Sequence, residues 1–237
     1  MKPRSLLAAA VTLAAAGALL YVYGFDMRDL EVGAVLTVWV LLVVFYLSKK
    51  VAERTNKYIA RKFIHFTTGG LVTLLIYATA LLGDPIFSSP AVPVAAAIAL
   101  GLMTLIPHLE DSELSWFQVR NNFGEVWFCY TWALLFLVFW YVDLIVPVVA
   151  TFFMAYGDGV TGVVRNYVYR RWTKGFWGSV AMFLVSAPFG AWAAGIGGFL
   201  SAAVATLVEK MPWIDDNLTV PIVSAALLFA LRSVAPL

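Results

Sequence analysis

The acids of this sequence that could do chemistry lie beside cations at the edges of apolar runs. Asp158 stands between Gly157 and Gly159, and Arg165, Arg170, Arg171, Lys174 and Gly178-Ser179 follow it. A charge next to hydrocarbon costs free energy unless something pairs or uses it. Asp158 offers hard oxygen atoms, suited to a divalent cation held together with substrate phosphates. The cations after it suit a polyphosphate, with arginine as a two-pronged donor. The flanking glycines are expected to let the backbone bend and approach a ligand. If the segment stays helical, Arg165, seven residues on, shares a face with Asp158. The plain alternative is a Gly-Asp turn followed by ordinary anchoring charges, which leaves Asp158 without a role.

Three further clusters have the same character. Arg61-Lys62-Phe63-Ile64-His65 opens an apolar run, and in a helix Arg61 and His65 are one turn apart. They could hold phosphate. Anchoring charges beside a hydrogen-bonded core histidine are the alternative. Asn121, Asn122 and Glu125, with Asp111 and Glu113 nearby, precede an aromatic-rich run, where a carboxylate also suits a helix N-terminus. Glu209-Lys210 and Asp215-Asp216-Asn217-Leu218-Thr219-Val220-Pro221 lead into the last run. Capping by Asp216 or Asn217 would explain one residue. Metal binding, or the positioning of a hydroxyl nucleophile, would explain Glu209 and both aspartates. The two histidines, His65 and His108, and the single Cys129 leave no basis for a histidine metal site, a thiolate metal site or an internal disulfide. There is no Walker-type glycine loop and no protein-kinase signature.

The elements that must position these residues are membrane helices. The chain is 62% hydrophobic and 13% charged, where a soluble domain carries roughly a quarter charged residues. The expected fold is one all-α, polytopic membrane domain over 1–237. A formal net charge of +2 gives no reason to expect nucleic acid. Hydropathy and turn residues predict about nine spans. In order they are 1–23, 33–48, 64–82, 91–106, 125–141, 144–156, 176–194, 195–208 and 218–234, with the seventh and eighth tightly connected. The first is expected to be an uncleaved helix rather than a signal peptide, because its apolar run continues through Val22 and Tyr23. With the N-terminus inside, every Lys and Arg except Arg28 and Arg232 falls on the cytoplasmic side, as the positive-inside rule requires. All four polar clusters then share the cytoplasmic face of a bundle with apolar walls. The implied substrates are a lipid with its polar head at the interface and a phosphate-bearing cosubstrate.

In this order the motifs resemble the dolichol kinase and phytol kinase family, relatives of the membrane phosphatidate cytidylyltransferases. Arg61-Lys62-x-x-His65 resembles the family's early motif, Gly157-Asp158-Gly159 its Gly-Asp motif, Lys174 to Ser179 its Lys-Ser/Thr-x-Glu-Gly-Ser, and Asp216-Asn217-Leu218-Thr219-Val220-Pro221 its C-terminal motif. The last is the most specific, and the likeness covers about residues 55–225. The resemblance implies a CTP-dependent kinase that phosphorylates the terminal hydroxyl of a polyisoprenoid alcohol with Mg²⁺ or another divalent cation. By that likeness Asp158, Lys174, Asp216 and Asn217 form the catalytic set. Asp158 and Asp216, joined by Glu209 from the reading of the residues themselves, are the expected metal ligands. Arg61, Lys62, His65, Arg165, Arg171 and Ser179 bind nucleotide or phosphate. Asp216 would order the lipid hydroxyl or make a second metal contact. The chain departs from the family at Gly175 and Trp177, where a hydroxyl and a carboxylate are expected, and at Thr161 and Arg165, where small residues are expected. Arg165 is the residue that could compensate by contacting phosphate. A lipid cytidylyltransferase that releases pyrophosphate is the close alternative. A small transporter is the distant one, although transporters place charge near the midplane.

Overall fold

A computed structural model describes residues 2–170, 173–211 and 215–234. The regular structure of the described residues is all helix, without a strand. Its helices are α1 (Pro3–Tyr23), α2 (Met27–Arg54), α3 (Lys57–Leu81), α4 (Ala91–Leu109), α5 (Gly124–Phe139), α6 (Ile145–Tyr169), α7 (Phe176–Glu209) and α8 (Asp216–Val234). All but the shorter, aromatic α5 are long and apolar enough to cross a membrane, which makes seven candidate spans among the described residues.

Local chemistry explains where several helices start. The segment 24–32, expected as an acidic loop, is mostly helix. The Asp26 side chain accepts from the Asp29 backbone N–H at 2.8 Å and caps α2. Asp29 is itself buried and accepts from the Ser88 N–H and hydroxyl at 2.7 and 2.6 Å. The basic segment 49–62 is helical too, broken only at Thr55 and Asn56. The Asn56 side chain accepts from the N–H groups of Tyr58 and Ile59 and starts α3 there.

α7 has 34 residues, and a straight helix of that length would measure ~51 Å, well beyond a hydrocarbon core of ~30 Å. The helix reverses instead. Ala194 and Gly195 leave helical geometry, and Gly195 takes φ +57°, a conformation open to glycine. The two arms pack so closely that a Cβ on Gly198 would lie 1.9 Å from the Gly190 carbonyl oxygen. Glu209 is thereby returned to the start of α7, where the Lys174 ammonium donates to its carbonyl at 2.5 Å. The expected boundary between 176–194 and 195–208 falls at this reversal. Gly198→Ala is expected to lower the thermal midpoint of the purified protein by several degrees and to cut folded yield. Gly17→Ala, with open space around it, should leave both unchanged.

α6 is the axis of the bundle. In its most apolar stretch 78% of residues are buried inside the protein, against 11% for α1. Val146, Ala150 and Phe153 of α6 pack on Met182 of α7 and Leu228 of α8, all fully buried. α6 also runs further than expected. It passes through a π turn at Phe153–Gly157 and continues to Tyr169, with Arg170 closing it in the left-handed region at φ 51°. Gly157-Asp158-Gly159 is therefore not a bend after a helix. Gly157 has helical φ/ψ of −62° and −59°, and the stretch expected as a basic loop is mostly helix.

The two cations expected on the far side are both neutralised there. Arg28 makes a two-pronged bond to Asp84 at 2.6 and 3.0 Å, and Arg232 donates to Asp143 at 2.5 Å. The Arg28 guanidinium holds the Asp84 carboxyl below its ordinary range. At the opposite end, the Lys2 backbone N–H and the Ser5 hydroxyl donate to Glu110, and the Lys2 ammonium pairs with Asp111. This ties the start of α1 to the end of α4.

Candidate functional site

Three carboxylates from three helices converge at one end of the bundle. Asp158 lies just beyond the π turn of α6, Glu209 ends α7, and Asp216 begins α8. One oxygen from each lies within 4.8 Å of the others, a spacing that one metal ion could bridge. Glu209 is fully buried and Asp158 nearly so, while the Asp216 side chain is 23% exposed and forms the open edge. Three like charges this close are costly to bury unless they are compensated.

Cations from three places compensate them. The Lys62 ammonium of α3 donates to Asp158 Oδ2 at 2.5 Å. Arg165, two turns along α6 from Asp158, forks onto Glu209 at 2.6 and 2.8 Å. Lys174, from the α6–α7 connection, lies 3.9 Å from the Glu209 carboxylate and 3.7 Å from Asp216. Small residues make this packing possible. A Cβ on Gly178 would sit 2.3 Å from Arg165 Nε, and one on Gly162 would sit 2.5 Å from Lys62 Cε. Gly178 therefore serves the Arg165 side chain, and Thr161 donates its hydroxyl to the Gly157 and Gly178 carbonyls at 2.9 and 3.1 Å. Both of the positions where the chain departs from the expected small-residue pattern are built into the site's walls.

The start of α8 assigns its acids distinct jobs. Asp215, rather than Asp216 or Asn217, does the capping. Its side chain accepts from the Asn217 backbone and side-chain N–H groups, both at 2.9 Å. Burial, and then the adjacent Asp216 carboxylate, raise the Asp215 pKa above its ordinary value. Asp216 is thereby left to face the cluster.

Asn217 Oδ1, Ser179 Oγ and Arg165 Nε are buried with no hydrogen-bond partner. Unmatched buried polar atoms are uncommon and call for an explanation. A polar ligand at this end of the bundle would supply one.

Arg61 connects the acidic cluster to a second polar knot. The Cβ position above Gly124 is filled by Arg61 Nη2 at 2.5 Å and by Asn217 Nδ2 at 3.0 Å. Arg61 Nη2 also lies 3.8 Å from Glu125 Oε2. Glu125 Oε1 meets His108 Nε2 at 2.7 Å and accepts from the Gln118 side chain at 2.9 Å. Glu125 is buried among partners from the 108–124 segment and α3, beyond what a helix-dipole role requires.

The structure thus brings together Asp158, Glu209, Asp216, Asn217, Lys62, Arg165 and Lys174, with Arg61 alongside. Ser179 lies one residue beyond the glycine that Arg165 packs on. His65 is placed elsewhere. It stacks on Phe128, with ring centroids 4.3 Å apart, and lines an apolar cavity between α2, α3, α4 and α5. Arg171 lies outside the described residues. Sequence reasoning missed the Arg165–Glu209 fork and the roles of Gly162 and Gly178. A glycine within a turn of a charged residue is the one local hint of such packing. No protein-family model, curated protein or solved structure matches this chain.

Proposed function

We propose that the chain is an integral-membrane kinase that transfers the γ-phosphoryl group of CTP to the terminal hydroxyl of a dolichol-like polyisoprenoid alcohol. The observation that carries this reading is the set of three carboxylates within reach of one ion, interleaved with three cations, at one end of an apolar bundle. Phosphoryl transfer asks a protein for alignment and charge neutralisation more than for covalent help, and this set offers both.

Asp158, Glu209 and Asp216 would hold Mg²⁺ or another divalent cation. Their donors are all hard carboxylate oxygens, and the unmatched Asn217 Oδ1 adds a neutral oxygen beside them. When bound, the cation neutralises charge on the phosphate oxygens. Lys62, Arg165 and Lys174 then have a second set of partners. Each now faces a carboxylate and would swing or share toward the triphosphate, and the spare Arg165 Nε–H and the Ser179 hydroxyl would join them. Arg61 would hold the phosphates from the α5 side. The nucleotide specificity for CTP rests on the motif resemblance. Nine spans, counting α5 and both arms of α7, and a cytoplasmic N-terminus go with this reading. They put the site where nucleotide is available, and the distribution of Lys and Arg supports that orientation.

CTP labelled at either the α or the γ phosphorus, incubated with the purified protein and a membrane lipid extract, tests the reading. Label from the γ position should enter the lipid fraction and stop when divalent cations are chelated. Label entering lipid from the α position alone would mark CMP transfer and sink the kinase reading.

A further inference from the structure

We infer that the cavity between α2, α3, α4 and α5 holds the hydroxyl-bearing end of the acceptor lipid, with an uncharged alcohol group received by His65 and Glu125. This deepens the kinase reading and rests on it. The cavity has a volume of about 100 Å³ and walls that are almost wholly apolar, with Leu36, Val40, Gly69, Ala97, Met103 and Phe128 among them. A cavity of this order takes a group about the size of benzene, comparable to one isoprene unit.

Its polar lining is mostly satisfied internally. Thr68 donates to the Ile64 carbonyl at 2.7 Å and Thr104 to the Gly101 carbonyl at 3.0 Å. Two residues are not satisfied. Both ring nitrogens of His65, which is 2% exposed, lack a hydrogen-bond partner, and so does Glu125 Oε2, whose ion-pair partner Arg61 Nη2 stands 3.8 Å away. A buried imidazole left so costs free energy that a ligand can recover.

The chemistry of the unmatched atoms selects the head group. A neutral imidazole offers one donor and one acceptor, and a carboxylate offers acceptors. An alcohol, which donates once and accepts twice, can satisfy both residues. An ionised phosphate or carboxylate head brings acceptors alone, which leave Glu125 Oε2 and the acceptor nitrogen of His65 unmatched. The position also suits transfer. His65 is one turn along α3 from Lys62, which holds Asp158, and one turn from Arg61, which shares the space above Gly124 with Asn217. The π turn at Phe66–Gly70 immediately follows His65, and such turns are frequent at functional sites.

The test uses a C20 polyprenol with a diazirine on the isoprene unit next to the hydroxyl. The full-length protein is held in phosphatidylcholine nanodiscs without nucleotide. Cross-links should map to the α2–α5 lining. Unlabelled polyprenol should displace them, and phosphatidate should not. Ala97→Trp, which fills the cavity, should cut labelling about tenfold. In the kinase assay His65→Gln should raise KM for the alcohol about tenfold and leave KM for CTP unchanged. Cross-links mapping elsewhere, displacement by phosphatidate as effective as by alcohol, or unchanged labelling of folded Ala97→Trp would each overturn the inference. If Ala97→Trp does not fold, the wild-type map and the competition decide. Cavity labelling without γ-phosphoryl transfer would remove the kinase reading and keep the cavity. Transfer with cross-links elsewhere would do the reverse.

Discussion

Asp158→Asn should abolish CTP-dependent lipid phosphorylation, with a loss of at least ~10²–10³-fold, the scale on which single electrostatic contacts to a transition state act. The substitution keeps the shape of the side chain and removes its charge. On the proposed reading it removes a metal ligand, and it strands Lys62, which is 6% exposed and loses the charged partner at 2.5 Å. Breaking a buried pair on one side costs about 3–5 kcal/mol, so the variant should also unfold at a lower temperature. The two effects can be separated. Asp158→Asn combined with Lys62→Met leaves no stranded charge, and should recover most of the thermal stability while remaining inactive. Activity retained in the single variant would take Asp158 out of the mechanism. Activity returning in the double variant would take both Asp158 and Lys62 out of the mechanism.

Arg165→Met should have the largest effect on folding. It removes the two-pronged partner of Glu209, a carboxylate with no exposed surface, and leaves Lys174 at 3.9 Å as the nearest compensation. The expected cost is again about 3–5 kcal/mol, read as a drop in the thermal midpoint in detergent. With one cation gone, the three acids repel one another more strongly, so added Mg²⁺ should raise the midpoint of Arg165→Met more than that of the wild type. Arg165→Met with Glu209→Gln should restore stability without Mg²⁺ and abolish the Mg²⁺ response. Arg165→Lys keeps a charge but loses the fork, and should fall between the wild type and Arg165→Met. A wild-type midpoint in Arg165→Met, unmoved by Mg²⁺, would show that the charge cluster does not hold these helices together.

Both experiments probe the same feature, a balance of three acids against three cations. Without substrate each cation lies against a carboxylate, so the site is neutralised internally. A metal ion and a polyphosphate bring their own opposite charges and can take over both sets of partners together. Cations freed from the acids become available to phosphate, and acids freed from the cations become available to metal. Either ligand alone would leave one set uncompensated, so the two are expected to bind more tightly together than singly.

The residues were sufficient to indicate a helical membrane bundle and the chemical types in its site. Hydropathy is a property of contiguous sequence, and so is the placement of Lys and Arg at the ends of apolar runs. Asp158, Glu209 and Asp216 could be singled out for the same reason: each is an acid beside a long apolar stretch, where burial alone gives it no purpose. The helix starts at Met27 and Lys57 were less legible, since their caps, Asp26 and Asn56, stand among other polar residues that read equally well as loop. The continuation of α6 through Gly157 was hidden because glycine's backbone freedom suggests a bend, whereas here its lack of a side chain serves close packing.

Only the tertiary structure decided how the charges pair. Lys62 meets Asp158 across 96 residues of chain, and Arg165 meets Glu209 across 44. Those pairings depend on the reversal at Gly195, which brings Glu209 back to the start of α7, and on the space above Gly162 and Gly178. The placement of His65 is of the same kind. Its spacing from Arg61 put both residues on one side of a helix, but which neighbour each meets depends on how α3 is rotated between α6 and the α2–α5 cavity. Residue type and spacing carry the hydropathy and the charge. The distance between two charges far apart in the chain is set by the packing of the helices between them.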